Sequence, residues 1–144
     1  FPIPIIGVIE PGVIGALKVT RTGRIGVIGT EGTIASEAYA KSLFAKTSTL
    51  HVANKACPLF VPLVEEGWWE HPITEQVAHS FLGRLIADNI DTLILGCTHY
   101  PLLKKTLAKS IIYPLLVFSK PNPRAPKKRT KPSAPPIRPE LPKA

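Results

Sequence analysis

A chain of 144 residues is long enough for one domain with a buried core. Its apolar stretches fall far short of the ~20 residues a spanning helix needs, and its two cysteines, Cys57 and Cys97, do not make a disulfide scaffold. Membrane-spanning and disulfide-stapled classes are therefore set aside, and a reducing, cytoplasmic setting is expected. The net charge of +8 is unevenly spread: Ser119 to Ala144 carry eight basic residues and one acid, whereas the first 118 residues are nearly neutral.

The chain begins at Phe1 and contains no methionine. Its opening "FPIPIIGVIEPG" is apolar and reads as the middle of a longer protein. "RIGVIG", Arg24 to Gly29, is a short apolar run bounded by glycine and predicts a buried strand. "TEGTIASEAYAKSLF" follows, with Thr30 or Thr33 as a cap and an Ala-rich helix to Phe44. "PLFVPLV", Pro58 to Val64, reads as a second strand ending near Pro62.

"HPITEQVAHSFLGRLIADN" predicts the clearest helix. Ile73, Val77, Phe81, Leu82, Leu85 and Ile86 form its apolar stripe, Pro72 suits its first turn, and Asn89 ends it. "DTLILG", Asp91 to Gly96, predicts a third strand. Pro101 opens a last helix, "PLLKKTLAKS". Beyond it lies a basic segment with eight of the sixteen prolines between Ser119 and Ala144. Such a composition predicts a disordered tail with polyproline-like stretches. The expected division is an α/β lobe over 1–110 and a tail over 111–144.

Strands alternating with helices predict an α/β fold, a parallel sheet covered by helices. Sites in such sheets form beyond the carboxyl ends of the strands. Three loops are expected there: "TEGT", "EEGWW" and "CTHY". Cys97 stands between a strand end and a helix start, where helix dipoles stabilise a thiolate. His99 is near enough to exchange a proton with a substrate or with that thiol. An inert buried cysteine is the alternative reading of Cys97.

Cys57 reads as a structural cysteine at a strand start. Glu65 and Glu66 are either a solvated turn or a source of one site carboxylate. Thr30 and Thr33 either cap a helix or offer hydroxyls to a substrate carboxylate. Trp68 and Trp69 read as packing or interface residues. The cysteines and histidines lack the paired spacing of a zinc site, so no metal is expected. The glycines spell neither a P-loop nor a dinucleotide fingerprint.

Four segments in order, "PIIGVIEPG", "IGVIGTEGTIAS", "CPLFVPLVEEG" and "LILGCTHYPLL", resemble the glutamate racemases of the cofactor-independent aspartate/glutamate racemase family. The resemblance runs from about Pro4 to Lys109. It implies one lobe of a two-lobed fold and an isomerase that interconverts L- and D-glutamate for peptidoglycan synthesis, and hence for cell-wall biogenesis and cell shape. It implies no cofactor and no metal. In that family two cysteines flank the substrate α-carbon; one thiolate removes the proton and the other thiol returns one to the opposite face.

By the same resemblance, Cys97 matches the second cysteine of the pair, and His99 the histidine that assists it. Glu65 matches the catalytic-site glutamate, with Glu66 as the alternative. Thr98, His99, Thr30 and Thr33 match substrate-contacting residues. The segments that hold the family's other cysteine are not found here, and Cys57 does not occupy that motif. The chain alone is therefore expected to be inactive. Glutamate is the expected substrate and a homodimer is admitted, with no membrane partner. Another member of the superfamily, such as an aspartate racemase, is the alternative enzyme. A binding module acting through its basic tail on nucleic acid or an acidic protein is the non-enzymatic one.

Overall fold

The computed structural model describes residues 7–110 and the backbone of 116–118. The basic segment from Ser119 lies outside the described residues, so the expectations placed on it have no structural counterpart here. The described elements are α1 (Ile9–Val19), β1 (Arg24–Gly29), α2 (Glu31–Ala35), α3 (Ala38–Lys46), β2 (His51–Ala56), α4 (Phe60–Glu65), α5 (Pro72–Ala87) and β3 (Thr92–Leu95). A 3₁₀ turn (Tyr100–Leu103), α6 (Lys104–Ser110) and β4 (Leu116–Phe118) complete them.

The four strands form one sheet in the order β2-β1-β3-β4, with every neighbouring pair parallel. β1 is buried from Ile25 to Gly29 and β3 throughout, the continuous burial of strands covered on both faces. Side chains alternate between the faces. Ile25, Val27 and Ile94 meet Val13 and Ala16 of α1 and Tyr39 and Leu43 of α3. Ile28, Leu93 and Leu95 meet Phe60 and Val64 of α4, Leu82 and Leu85 of α5, and Tyr100, Leu103 and Leu107. The expected α/β class is observed, as helices on both sides of a parallel sheet.

The second strand is not where the apolar pattern put it. Pro58 and Leu59 form a turn and Phe60–Val64 belong to α4, and the strand is the preceding "HVANKA". β2 is an edge strand with no buried residue along it, so it needs no apolar run. Pro62 is tolerated in α4 because it falls in the first turn, where backbone N–H groups lack partners in any case. Phe60 and Val64, four apart, then face the core together.

The helix expected from Thr30 to Phe44 is two helices, broken at Glu37 in the left-handed conformation with φ 54°. α1, which the opening segment did not reveal, carries Pro11 in its first turn and runs unbroken through Gly12 and Gly15. On α5 the fully buried face is Thr74, Ala78, Leu82 and Leu85. Ile73 of the expected stripe is exposed, while Val77, Phe81 and Ile86 flank the core. Asn89 does end the helix, with φ 53°. The sheet also continues past 110: β4 pairs with β3, Leu116 opposite Thr92.

At the amino end of the sheet, Asp91 gathers the turn before β1. Its carboxylate accepts from the hydroxyls of Thr20, Thr22 and Thr92 and from the amides of Arg21 and Thr22, at 2.7–2.9 Å. Burial pushes its acidity the other way, but these hydrogen bonds win and hold it at about 2. A depressed carboxyl contributes stability that is present above its unfolded value near 3.8 and lost as pH falls toward 2. Asp91→Asn should therefore lower stability at pH 7 by about 1–2 kcal/mol, a modest figure because the carboxylate is solvent-screened. Thermal unfolding measured from pH 7 to pH 2 should show the two proteins converging at the acid end.

Candidate active site

β1 continues to β2 on one side of the sheet, and β3 continues to β4 on the other. The strand order thus reverses between β1 and β3, and a crevice is expected outside their carboxyl ends. Thr30 follows β1 and Cys97 lies two residues after β3, so both emerge at this point.

Cys97 is partly exposed, and its Sγ lies 3.8 Å from His99 Nδ1. His99 Nε2 lies 3.4 Å from Glu65 Oε1. One imidazole thus touches a thiol through one nitrogen and a carboxylate through the other. An imidazole that keeps its proton on Nε2 toward Glu65 offers Nδ1 as the acceptor for the Cys97 S–H. The arrangement can move a proton between sulfur and solvent. Glu65 reaches His99 from the last residue of α4 rather than from a loop after a strand. Glu66 is the exposed residue that caps α4.

Thr30 caps α2: its Oγ1 accepts from the Thr33 amide at 3.3 Å and lies 3.0 Å from Thr33 Oγ1. The capping reading of Thr30 and the proximity of both hydroxyls to the crevice are compatible. Thr33 leans over the strand ends, since a Cβ at Gly29 would meet its side chain at 3.1 Å and a Cβ at Gly96 at 3.4 Å. Thr98 is exposed at the mouth of the loop.

Cys57 follows β2 rather than opening a strand, and it is fully buried. Burial pushes its thiol up to about 12, with Lys55 opposing weakly. That makes it a poor proton carrier at neutral pH. Its carbonyl accepts the Tyr100 hydroxyl at 2.9 Å, which ties the loop of Cys97 to the segment entering α4. Tyr100 stands in the "GCTHYP" motif, but its burial and its partner were not legible there. Trp69 packs against the core, whereas Trp68 is partly exposed and stacks on His71 at 4.6 Å. Among the described residues no three His, Cys, Asp or Glu side chains cluster as metal ligands would, and no helix is long and apolar enough to cross a membrane.

Gly96 sets the spacing of the whole loop. A Cβ there would lie 2.8 Å from the Ile28 carbonyl oxygen and 3.1 Å from the Tyr39 ring. The nearer contact is backbone and cannot rotate away. Gly96→Ala should therefore lower stability by about 1–3 kcal/mol and displace Cys97 from His99, read as a fall in melting temperature together with altered alkylation of Cys97.

An α/β lobe with a thiol, an imidazole and a carboxylate at its strand-order reversal matches a known family over most of its length. Residues 1–119 match the Asp/Glu/Hydantoin racemase family, and the chain belongs to that family of amino-acid racemases. The glutamate racemase of Geobacter metallireducens is 53% identical over 109 residues, 76% of this chain and 40% of that protein. A crystal structure of a glutamate racemase isoform from Bacillus anthracis superposes with a TM-score of 0.76 at 43% identity, covering 81% of this chain and 45% of that one. The glutamate racemase of Francisella tularensis, solved in complex with D-glutamate, gives 0.67 at 38% identity over 75% of this chain and 40% of that one. The chain thus spans about two-fifths of the length of the curated relatives it matches.

Proposed function

We propose that this chain is one lobe of a glutamate racemase and supplies one of its two acid/base thiols. The observation that carries the reading is the contact of Cys97 with His99 and of His99 with Glu65 at the carboxyl end of β3. The similarity to glutamate racemases, one of them holding D-glutamate, supports glutamate as the substrate.

In this reading the Cys97 thiolate removes the α-proton from one enantiomer, and in the reverse direction the Cys97 thiol protonates the carbanion formed from the other. His99 takes up and resupplies the Cys97 proton, and Glu65 orients the imidazole. The α-proton is weakly acidic, so close placement and matched proton affinities carry much of the catalysis. Thr30, Thr33 and Thr98 are proposed to hold the substrate carboxylate and ammonium groups. No residue here is assigned to a cofactor. The product serves peptidoglycan synthesis, the setting is the cytoplasm, and the complete enzyme admits a homodimer.

A two-thiol reaction needs two accessible thiols, and among the described residues Cys57 is sealed in the core. The lobe by itself is therefore proposed to be inactive. The test is polarimetry of L-glutamate with the chain alone and with the racemase that carries it as a lobe. Family-like turnover by the chain alone would sink the two-lobe reading. A binding role for the basic tail rests on composition only and ranks second.

A further inference from the structure

The contact of His99 with Glu65 joins two separate segments, the loop after β3 and the last residue of α4. The Glu65 side chain is 64% exposed, so its own packing does not fix where it lies; the seat of α4 does. α4 has six residues, far too few for a helix to hold by itself. Both of its ends are held by the stretch of chain that carries Cys97 and His99.

At the start of α4, the Cys57 carbonyl accepts twice, from the Phe60 amide at 3.2 Å and from the Tyr100 hydroxyl at 2.9 Å. Tyr100 is fully buried and its own amide donates to the Cys97 carbonyl at 3.2 Å, so its ring projects from the turn that begins at Cys97. At the other end, Gly67 is left-handed, with φ 79°. The amides of Gly67 and Trp68 return to the carbonyls of Val64 and Leu63 at 3.0 and 2.8 Å, which makes a tight exit from the helix. That exit leads to Trp69, whose carbonyl accepts the buried Thr106 hydroxyl of α6. Thr74 of α5 adds a bond to the Trp68 carbonyl at 2.6 Å. Apolar packing alone allows a short helix to slide, whereas a hydrogen bond fixes distance and angle.

We propose that Tyr100 and Thr106 are positioning residues: their hydroxyls fix α4 against the segment of Cys97 and His99, and so keep the Glu65 carboxylate on the His99 imidazole. The proposal deepens the racemase reading and rests on it for its purpose, though not for its measurement. Each hydroxyl is committed to a backbone carbonyl of the α4 segment and acts on the thiol only through the seat of that helix. A carboxylate beside the imidazole favours its protonated form, and that cation in turn favours the Cys97 thiolate. Losing either hydroxyl should therefore resemble a partial loss of Glu65.

The experiment is a double-mutant cycle on the native chain with two readings. One is the rate of iodoacetamide alkylation of Cys97 near neutral pH, resolved from buried Cys57 by peptide mass spectrometry. The other is the His99 Cε1–H resonance in carbon-edited NMR. Glu65→Ala should slow alkylation about 3- to 10-fold and move the resonance. Tyr100→Phe keeps the ring and its ring current, and Thr106→Val keeps the shape. Each should slow alkylation about 2- to 5-fold and move the resonance toward its Glu65→Ala position, and neither should add to Glu65→Ala. Ile25→Val trims the core on the opposite face of the sheet, so it controls for lost stability and should leave both readings native. Native readings in both Tyr100→Phe and Thr106→Val would overturn the proposal, and so would slowing of the same size with and without Glu65. Alkylation needs no substrate, so this failure is distinct from a failure of the racemase reading, which only the racemisation assay decides.

Discussion

On the function proposed above, replacing Cys97 with alanine in a glutamate racemase that contains this lobe should stop inversion of glutamate from both directions, by about 10³-fold or more. Loss in both directions follows because each direction needs one thiol to take the α-proton and the other to give one back. On the same proposal, the thiol of the opposite face can still remove a proton from one enantiomer and return one to the same face. In deuterated water the variant should therefore exchange the α-proton of one enantiomer with solvent, without inverting it. Proton NMR of the α-position, run separately with D- and L-glutamate, reads this directly. Residual exchange of both enantiomers would mean that Cys97 is not the acid/base group on its face. The fold should be little affected, since Cys97 is only partly buried, at the margin of the core, and its described polar side-chain contact is with His99.

Phe60→Ala should have the largest effect on stability, a loss of about 3–5 kcal/mol. Phe60 is fully buried and meets Phe81 and Tyr100 edge-on, each ring centre 5.4 Å away. It joins α4, α5 and the turn after Cys97. Removing the ring leaves a cavity and breaks two aromatic contacts that each add about 0.5–1.5 kcal/mol beyond burial. A domain stable by about 5–15 kcal/mol would lose a large fraction of that. Urea unfolding monitored by tryptophan fluorescence should show the lower midpoint, and Cys57 should become alkylated in the native buffer. Phe60→Leu should cost less than half as much. A loss below about 1 kcal/mol for the alanine variant would mean that the site collapses around the gap.

The elements read well from sequence were those whose pattern is set by their own burial. Arg24–Gly29 and Thr92–Leu95 lie in the sheet interior, so both faces must be apolar and the runs are unbroken. α5 was clear because it is long and has Pro72 at one end and Asn89 at the other, although tertiary packing rotated its buried face toward Thr74 and Ala78. β2 and α4 were misread for one reason. The edge strand β2 has only half-buried and exposed positions, while a short helix that buries Phe60 and Val64 presents an apolar run resembling a strand.

The chemistry divides along a similar line. Candidate acid/base groups could be named from "GCTHYP" and "VEEG", although an inert cysteine and a solvated turn were equally open readings of those residues. That the chain belongs with the amino-acid racemases was legible as well, since four motifs in order specify a fold more tightly than any one of them. Only the folded chain decided which groups meet. Glu65 reaches His99, while Glu66 caps α4, because consecutive residues on a helix point about 100° apart. Cys57 is withdrawn from chemistry by a core assembled from residues 28 to 107, and the Tyr39 ring is brought against Gly96 across 57 positions of sequence. Such contacts depend on how helices seat against the sheet, and local pattern carries no record of that.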